Sequence, residues 1–299
     1  MNILSLFDGI SCARVALERS CFKVKKYFAS EVDKYALQIS FKNYPDIIQL
    51  GDIKNIKGNE FSNIDLLIGG SPCQDLSIAK KDRQGLKGER SGLFYEYVRL
   101  LKEIKPRYFI LENVASMSKE SKQTITDIMG VEPIMINAAL VSAQNRKRLF
   151  WTNIPNVKQP EDRGILLKDI LENGNVDNLK SYYIDANYYK GSNWEQYKKK
   201  KRRQLVIRVA QIGKGGQANR IYSPNGKSVG LSALGGGRGA KTGLYMVNTQ
   251  VRKLTPIECE RLQSLPDNFT EGVSNSQRYK CLGNAFNVDV VSHILSFMK

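Results

Sequence analysis

Apolar runs alternate with amphipathic stretches along the first half of the chain. The runs that predict buried strands lie at residues 2–7, 24–29, 64–68 and 108–111. A helical pattern follows the first run as far as Arg19, and another covers residues 33–43. Strand–helix units that repeat at this spacing predict an α/β fold, with a mostly parallel, doubly wound sheet that helices cover on both faces.

The helix predicted before residues 108–111 has the clearest amphipathic pattern. Pro106 ends it, and its apolar face carries Leu93, Tyr97, Leu101 and Ile104. Further along the chain, residues 135–141 and 148–152 predict a closing pair of strands, which we expect to be antiparallel.

The pattern changes after residue 155. From about residue 156 to residue 251 no long helical pattern occurs, and this stretch holds a basic run at residues 198–203. It also holds glycine-rich segments around residues 213–216 and 235–239. These features predict a second, smaller domain that is mostly β-structure or loop and has a basic face.

Charge narrows the range of partners. The 46 basic and 29 acidic side chains of the 299 residues leave a net charge of +17. A surplus of this size favours a polyanionic partner such as nucleic acid, with a generic basic surface as the alternative. The apolar share of 41% is typical of a globular protein and not of a disordered one.

The cysteine and histidine content argues against several classes of site. The cysteines are Cys12, Cys21, Cys73, Cys259 and Cys281. An odd count without any C-x-x-C pair argues against a disulfide framework and against a thiolate zinc site. Because His293 is the only histidine, His-based metal sites and Ser-His-Asp machinery are nearly excluded. We therefore expect no bound metal.

The N-terminal residues indicate a protein without a targeting segment. They carry no basic leader, and no apolar stretch approaches the ~18 residues of a membrane-spanning helix. We therefore expect a monomer in the cytoplasm with no membrane partner.

Several hydrogen-bonding or reactive residues follow directly after predicted strands. They are Asp8, Gly9, Glu31, Asp52, Cys73 and Glu112. Ligands of an open α/β sheet bind at the carboxyl ends of its strands, so we expect these residues to lie near one another. Glu31 fits an acceptor for ribose hydroxyls, and Asp52 fits an acceptor for an adenine amino group. The alternative for each is a solvated loop carboxylate.

The first turn suits a nucleotide-like ligand that has no phosphate. Gly9 allows the backbone to approach a ligand closely, but no G-x-G-x-x-G follows it. The Gly-Lys-Ser sequence at residues 226–228 lacks the upstream glycine of a phosphate loop, because Ile221 occupies that position. A dehydrogenase and an ATPase are therefore disfavoured.

Four residues are candidates for covalent and acid–base chemistry. Cys73 stands in a Pro-Cys turn followed by polar residues, which suits an exposed nucleophile better than a packed core cysteine. Glu112 follows four apolar residues and suits a general acid, with a helix N-cap or an ion pair as alternatives. Arg146 and Arg148 alternate on a predicted strand, so both should point the same way, towards a base carbonyl or a phosphate.

Six motifs, taken in order, resemble those of the cytosine-5 DNA methyltransferase family. They are residues 5–10 (Ser-Leu-Phe-Asp-Gly-Ile), 69–74 (Gly-Gly-Ser-Pro-Cys-Gln), 111–114 (Leu-Glu-Asn-Val), 144–148 (Gln-Asn-Arg-Lys-Arg), 252–265 and 283–285 (Gly-Asn-Ala). Each motif alone is weak, but six in the family's order are specific, and the resemblance covers nearly the whole chain except about residues 156–250. It implies the Rossmann-like fold of S-adenosylmethionine-dependent methyltransferases and an enzyme of bacterial or phage type, as in restriction–modification systems.

The resemblance implies a covalent mechanism on double-stranded DNA. Cys73 would add to carbon 6 of a flipped-out cytosine while Glu112 protonates or hydrogen-bonds ring N3. Carbon 5 would then take the methyl group, a base would remove the carbon-5 proton, and Cys73 would leave. By the same resemblance Arg148 would hold the base carbonyl and Arg146 would brace the closed loop.

The resemblance also assigns binding residues and domains. Cofactor contacts are expected from Phe7, Asp8, Gly9, Ile10, Glu31, Val32, Asp52, Ile53, Pro72, Leu93, Asn284 and Ala285. Candidate DNA contacts are Lys80, Lys81, Arg83, Lys87, Arg90, Arg220, Arg238 and Lys241. Residues 74–90 would close over DNA, with an ordinary solvated loop as the alternative. The catalytic domain would comprise residues 1–155 and 272–299, and the target-recognition domain residues 156–271.

Two other functions stay open. One is RNA cytosine methylation by the same chemistry, although the long recognition region favours duplex DNA. The other is a DNA-binding homologue without activity, against which the presence of Cys73, Glu112 and Arg148 argues.

Overall fold

The described part of the chain leaves out several predicted site residues. The computed structural model describes residues 1–72, 92–172, 208–211, 220–228, 244–247, 250–252 and 254–298. The predicted nucleophile Cys73 and the predicted DNA contacts at residues 80–90 lie outside these ranges, as do Arg238 and Lys241. Among the described helices, none is both long and apolar enough to cross a membrane.

Seven strands form the larger sheet of the described structure. They are β1 (Asn2–Leu6), β2 (Lys26–Ser30), β3 (Ile48–Gln49), β4 (Leu66–Gly70), β5 (Tyr108–Val114), β6 (Ile134–Asn137) and β7 (Lys147–Thr152). Their order is β3-β2-β1-β4-β5-β7-β6, and β1 to β5 run parallel. β7 lies antiparallel between β5 and β6. The predicted α/β fold is therefore confirmed, as is the antiparallel closing pair.

Helices connect and cover these strands. In the described ranges they are α1 (Cys12–Arg19), α2 (Lys34–Asn43), α3 (Leu93–Ile104), α4 (Lys119–Met129), α5 (Pro256–Leu262), α6 (Asn275–Asn284) and α7 (Val288–Leu295). α3 is the amphipathic helix predicted from the sequence, and it ends where Lys105 adopts a left-handed conformation with φ 51° before Pro106. α5 begins with a capping box between Thr255 and Glu258.

Alternate residues of the central strands point into two apolar layers. Ile3 and Ile68 pack in the layer that contains α1, α2, α6 and α7. Their neighbours Leu4 and Leu67 pack in the layer that contains α3 and α4. Each such side chain contributes roughly 1.5–3 kcal/mol when it leaves water. Burial on both faces explains why these strands are continuous apolar runs in the sequence.

The strand order places a ligand site between β1 and β4. The chain runs outward from β1 to β2 and β3 in one direction, and from β4 to β5 in the other. At such a reversal the loops after neighbouring strands diverge to opposite faces of the sheet and leave a crevice at the carboxyl ends. The crevice lies where the sequence analysis expects the candidate residues to meet.

A second sheet of four strands lies in the region predicted to be a smaller β-domain. Its strands are β8 (Arg208–Gln211), β9 (Arg220–Tyr222), β10 (Leu244–Val247) and β11 (Gln250–Arg252), in the order β11-β10-β9-β8. β9 and β10 are parallel, and the outer pairs are antiparallel. The rings of Tyr222 and Tyr245 are buried with their centroids 5.8 Å apart.

The boundary of the second domain stays a prediction. Within the predicted range 156–271, Leu254, Cys259 and Leu262 are buried in the same apolar layer as α7. α5 also contacts α6, which follows it in the chain. Tyr222 and Tyr245 of the second sheet belong to the same layer, so this packing joins the two regions and does not place the boundary.

Candidate active site

A cavity of about 280 Å³ opens at the carboxyl ends of β1, β2, β4 and β5. Every residue predicted to contact a cofactor lines it: Phe7, Asp8, Gly9, Ile10, Glu31, Val32, Asp52, Ile53, Pro72, Leu93, Asn284 and Ala285. Glu112, Arg146 and Arg148 line it as well. The structure thus brings the predicted cofactor contacts and the predicted catalytic residues Glu112, Arg146 and Arg148 to one cavity. The role of each residue stays a prediction.

The turn after β1 has an unusual backbone. Phe7, Gly9 and Ser11 have φ values of 56°, 61° and 61°, which is the left-handed region. For a residue with a side chain this conformation costs roughly 1–2 kcal/mol, so Phe7 and Ser11 must be held in place by their surroundings. A Cβ on Gly9 would meet nothing within 4 Å, so its backbone faces open space in the cavity.

Buried hydrogen bonds hold this turn. The Asp8 carboxylate accepts from Ser11 Oγ at 2.6 Å and from the Tyr27 hydroxyl at 2.7 Å. Burial raises the pKa of Asp8, while these hydrogen bonds act in the opposite direction. The Ser11 hydroxyl also lies 2.7 Å from that of Ser40 on α2. Asp8 therefore links the turn to the strand and helix beside it.

Glu31 joins the turn after β1 to the turn after β2. Its Oε2 accepts from the amide of Gly9 at 2.8 Å. Its Oε1 accepts from the amides of Val32 and Asp33, each at 2.8 Å. The Val32 side chain is 70% exposed on the cavity wall. A carboxylate and an uncovered apolar side chain therefore stand next to each other, which suits a ligand with both a hydroxylated and an apolar part.

Two other carboxylates close the ends of this wall. Asp52 caps the short 3₁₀ helix Ile53–Asn55, and its Oδ1 accepts from the Lys54 amide at 3.0 Å. Asp33 caps α2 and accepts from Lys280 of α6 at 2.5 Å. Partial burial raises the pKa of Asp33, but the hydrogen bonds from Lys280 and the α2 amides lower it by more. The pKa of Asp33 therefore lies below the usual carboxyl value.

Glu112 and Arg148 form an ion pair on the opposite wall. Arg148 Nε lies 2.8 Å from Glu112 Oε1, and the two side chains are only 19% and 13% exposed. The ion pair is one of the alternatives that the sequence left open for Glu112. Gly70 is opposite Glu112 in the parallel register, and a Cβ there would lie 2.9 Å from Glu112 Oε2. A glycine at position 70 therefore makes room for the carboxylate.

Arg146 and Arg148 reach the same cavity but have different partners. The prediction that both arginines lie on one strand is wrong for Arg146, because β7 begins only at Lys147 and Arg146 lies just before it. Arg146 is buried, and its Nη2 donates to the carbonyl oxygens of Gly283 at 3.1 Å and Ala285 at 2.8 Å. Arg146 thus supports the C-terminal end of α6, where Asn284 is exposed to the cavity.

Two buried amide side chains, for which the sequence predicts no role, support this site. Asn113 Nδ2 donates to Ser71, at 3.1 Å from its Oγ and 3.3 Å from its carbonyl oxygen. This contact holds the residues that lead to Pro72 and Cys73. Gln263 Nε2 donates to the carbonyls of Leu282 and Ala285. Both residues lie inside motifs quoted above, but their partners are 19 to 42 positions away in the sequence.

Two cysteines of the cavity are poor nucleophiles. Cys12 and Cys281 both line it and are buried. Burial raises the pKa of Cys12 strongly and raises that of Cys281 to about 12. Since the thiolate is the reactive form, both stay unreactive near neutral pH. Neither competes with Cys73 for the predicted role.

Of the predicted DNA contacts, Arg220 is the one that lies within the described ranges. Arg220 lies on β9 and is half-buried, and it is absent from the cavity lining. The described residues contain no cluster of three or more His, Cys, Asp or Glu side chains that could hold a metal ion.

Comparisons with known proteins agree with the motifs. The family model "C-5 cytosine-specific DNA methylase" matches residues 1–299. The type II methyltransferase M.HhaI of Haemophilus parahaemolyticus is 32% identical over 313 residues, which cover 98% of this chain and 93% of that protein. The type II methyltransferase M.NlaX of Neisseria lactamica is 30% identical over 315 residues, which cover 100% of this chain and 96% of that protein.

Solved structures share the fold. The methyltransferase EhMeth of Entamoeba histolytica matches with a TM-score of 0.71 and 18% identity, over 99% of this chain and 97% of that one. The Dnmt2 methyltransferase of S. pombe matches with a TM-score of 0.65 and 18% identity, over the same shares. With the whole-chain family match and two relatives of 30% identity or more, the chain belongs to the C-5 cytosine-specific DNA methylase family, whose activity is S-adenosylmethionine-dependent methylation of cytosine in DNA.

Proposed function

We propose that the protein transfers a methyl group from S-adenosylmethionine to carbon 5 of a flipped-out cytosine, within a specific sequence of duplex DNA, through a transient bond to Cys73. One observation carries the proposal. A single cavity is lined by the Glu31 and Val32 side chains on one wall, by the Glu112–Arg148 ion pair on the other, and by Pro72, the residue before Cys73.

The residues of the first wall fit the cofactor. Glu31 would accept from the ribose hydroxyls, Asp52 from the adenine amino group, and Val32 would cover the adenine ring. The cavity holds more carboxylates than guanidinium groups, which suits a ligand with cationic sulfonium and ammonium groups. When bound, S-adenosylmethionine would supply its sulfonium methyl group as the electrophile for carbon 5.

Cys73 would act as the nucleophile. Its thiolate forms a bond to carbon 6 of cytosine, and the electron pair of the 5,6 double bond shifts toward carbon 5, which becomes nucleophilic. After carbon 5 has been methylated, loss of its proton restores the double bond and expels the Cys73 thiolate. The enzyme is then unchanged and the product is 5-methylcytosine.

Glu112 and Arg148 would make this addition possible. Protonation or hydrogen bonding of ring N3 by Glu112 draws electron density away from carbon 6, so the thiolate can add there. Arg148 would donate to the base carbonyl while its Nε keeps the Glu112 carboxyl group in place. Asn113 would support both, because it joins β5 to the residues that precede Cys73.

Access to the ring requires the cytosine to leave the helix. Flipping costs a few kcal/mol, which contacts with the DNA backbone must offset. The net charge of +17 and the lysines and arginines at residues 80–90 suit such contacts. We propose Arg220, Arg238 and Lys241 as contacts in the recognition region. We also propose a location in the cytoplasm, since similar curated proteins come from bacteria and Bacillus phages. The monomer stays a prediction.

A methyl-transfer assay tests the proposal. Purified protein and methyl-labelled S-adenosylmethionine are incubated with duplex DNA of mixed sequence and, in parallel, with transfer RNA. We expect label in DNA only, and bisulfite sequencing should place it at cytosines within one short motif. Label in RNA alone, or none in either substrate from folded protein, would contradict the proposal.

A further inference from the structure

Lys227 has an unusual environment for a lysine. Its ammonium group donates to three backbone carbonyl oxygens, those of Ala139, Ser142 at 3.2 Å and Ile165 at 2.9 Å. The side chain is only 19% exposed, and Asp162 Oδ1 lies at 3.8 Å on the solvent side. Three backbone carbonyl oxygens therefore surround the ammonium group, as carbonyl oxygens surround a bound cation.

Backbone hydrogen bonds flank this contact on both sides. The Ser228 amide donates to Ala143 at 2.7 Å, and the Ser228 carbonyl accepts from Asn145 at 3.0 Å. The Gly226 carbonyl accepts from Leu167 at 2.9 Å. Residues 226–228, which follow β9 of the second sheet, are thus attached to the segment 138–145 and to the chain near residue 165.

The segment 138–145, whose carbonyl groups Lys227 binds, leads directly to Arg146 and Arg148 of the active site. Arg146 follows it and supports the carbonyls of Gly283 and Ala285 at the cavity. Arg148 comes two residues later and pairs with Glu112. Gln144 lies inside the segment 138–145 and donates to Gln263. Gln263 in turn donates to the carbonyl oxygens of Leu282 and Ala285. A displacement of residues 139–145 would therefore move both walls of the cavity.

We propose that Lys227 is a positioning residue: it fixes the segment 138–145 to residues 226–228, which follow β9, and so sets the places of Arg146 and Arg148 in the active site. The proposal rests on the proposed function, since its effect is on methyl transfer. A methionine would fill a similar volume but would leave the carbonyls without their donor. Unpaired buried carbonyls cost free energy, so the backbone would shift until these carbonyls reach water.

The test compares four proteins: wild type, Lys227→Met, Lys227→Arg and Lys158→Met. Lys158 has an exposed side chain, so its variant controls for the loss of one positive charge. We expect kcat of Lys227→Met to fall at least about tenfold, because a displacement of about 1 Å at a catalytic group slows reactions strongly. Cofactor binding by calorimetry should weaken as well, since Arg146 and Gln263 support the cavity wall. DNA affinity should match that of Lys158→Met.

Lys227→Arg keeps the cation and should recover most of kcat. An active wild type together with an equally active Lys227→Met would overturn this inference and leave the proposed function standing. A wild type that methylates no DNA would overturn the proposed function and this inference with it.

If Lys227→Met does not fold, the pH dependence of kcat in wild type and Lys227→Arg tests the proposed role of Lys227. Burial lowers the pKa of Lys227, against the opposing effect of Asp162 and Asp169. Loss of the lysine proton at alkaline pH removes the positive charge and leaves two N–H donors for three carbonyls, so wild-type kcat should fall there. Arginine keeps its proton, so Lys227→Arg should retain kcat to higher pH. Superimposable alkaline limbs for the two proteins would overturn the inference.

Discussion

The two walls of the cavity are built in different ways. The cofactor wall comprises residues 7–10, 30–33, 52–53 and 283–286, and the catalytic wall comprises Glu112, Arg146 and Arg148. Backbone amides and buried hydroxyls hold the cofactor wall, as in the contacts of Glu31 with three amides. An ion pair between charged side chains, Glu112 and Arg148, holds the catalytic wall, and Arg146 joins this wall to the carbonyls of Gly283 and Ala285 in the cofactor wall.

This difference has a functional consequence. A wall shaped by backbone atoms can bind a ligand of fixed shape, and loss of one side chain there removes part of the binding energy. A wall of ionic side chains can respond to charge that develops during a reaction, so a loss there slows the chemical step. Substitutions should therefore separate binding from turnover according to the wall they affect.

The largest effect is expected for Cys73→Ala. Without the sulfur no bond to carbon 6 can form, so methyl transfer should fall at least about a thousandfold. Cofactor affinity by calorimetry should stay the same. Cys21→Ala, which removes an exposed cysteine, is the matched control and should behave as wild type. Normal turnover in Cys73→Ala would remove the proposed nucleophile.

Glu112→Gln should have the next largest effect. The amide keeps the shape of the side chain but cannot give a proton to ring N3, so we expect kcat to fall about a hundredfold. Cofactor affinity should change little, because Glu112 belongs to the catalytic wall. Glu132→Gln, at an exposed position, controls for the change in charge. A loss of cofactor affinity at constant kcat would show that the two walls are not separate.

Glu31→Gln should give the opposite pattern. Removing the charge weakens the hydrogen bonds to ribose hydroxyls, so cofactor affinity should fall about tenfold. At saturating cofactor, kcat should approach the wild-type value. Titration calorimetry and kcat at several cofactor concentrations measure the two quantities, with Glu60→Gln as the exposed control. A lower kcat at saturation with unchanged affinity would assign Glu31 to the chemical step instead.

The smallest effect is expected for the Asp33–Lys280 pair, which joins α2 to α6. Asn can still cap α2, so Asp33→Asn isolates the ion pair. Because the pKa of Asp33 is lowered in the folded protein, its contribution is present above the ordinary carboxyl pKa and is lost as pH falls through the lowered value. Urea unfolding should show a loss of about 0.5–1 kcal/mol near neutral pH. An equal loss at acidic pH would contradict this account.

The sequence predicts most of the cofactor wall and less of the catalytic wall. Residues such as Asp8, Glu31 and Asp52 follow apolar runs, and a parallel sheet brings the ends of such runs to one edge. The same reasoning placed Glu112. It could not show that Arg148 would be the partner of Glu112, because the antiparallel register of β5 and β7 is not visible in the apolar pattern.

Contacts between distant segments were beyond the sequence pattern. Lys227 binds carbonyls that lie 62 to 88 positions away in the sequence. Because every residue has a backbone carbonyl, the residue types at those positions do not predict the contact. Gln263 likewise holds backbone atoms of α6. The Gly-Lys-Ser sequence at residues 226–228 suggested only a comparison with phosphate loops, and the second sheet's strands gave no strong periodicity.

A covalent trap tests the central claim most directly. In duplex DNA that contains 5-fluorocytosine, carbon 5 carries fluorine where cytosine has the departing proton, so the enzyme cannot be released after methylation. With S-adenosylmethionine present, we expect a denaturation-resistant protein–DNA adduct in wild type, attached at Cys73 by peptide mapping, and none in Cys73→Ala. Absence of any adduct, from folded protein that binds cofactor and is offered DNA of mixed sequence, would contradict the account.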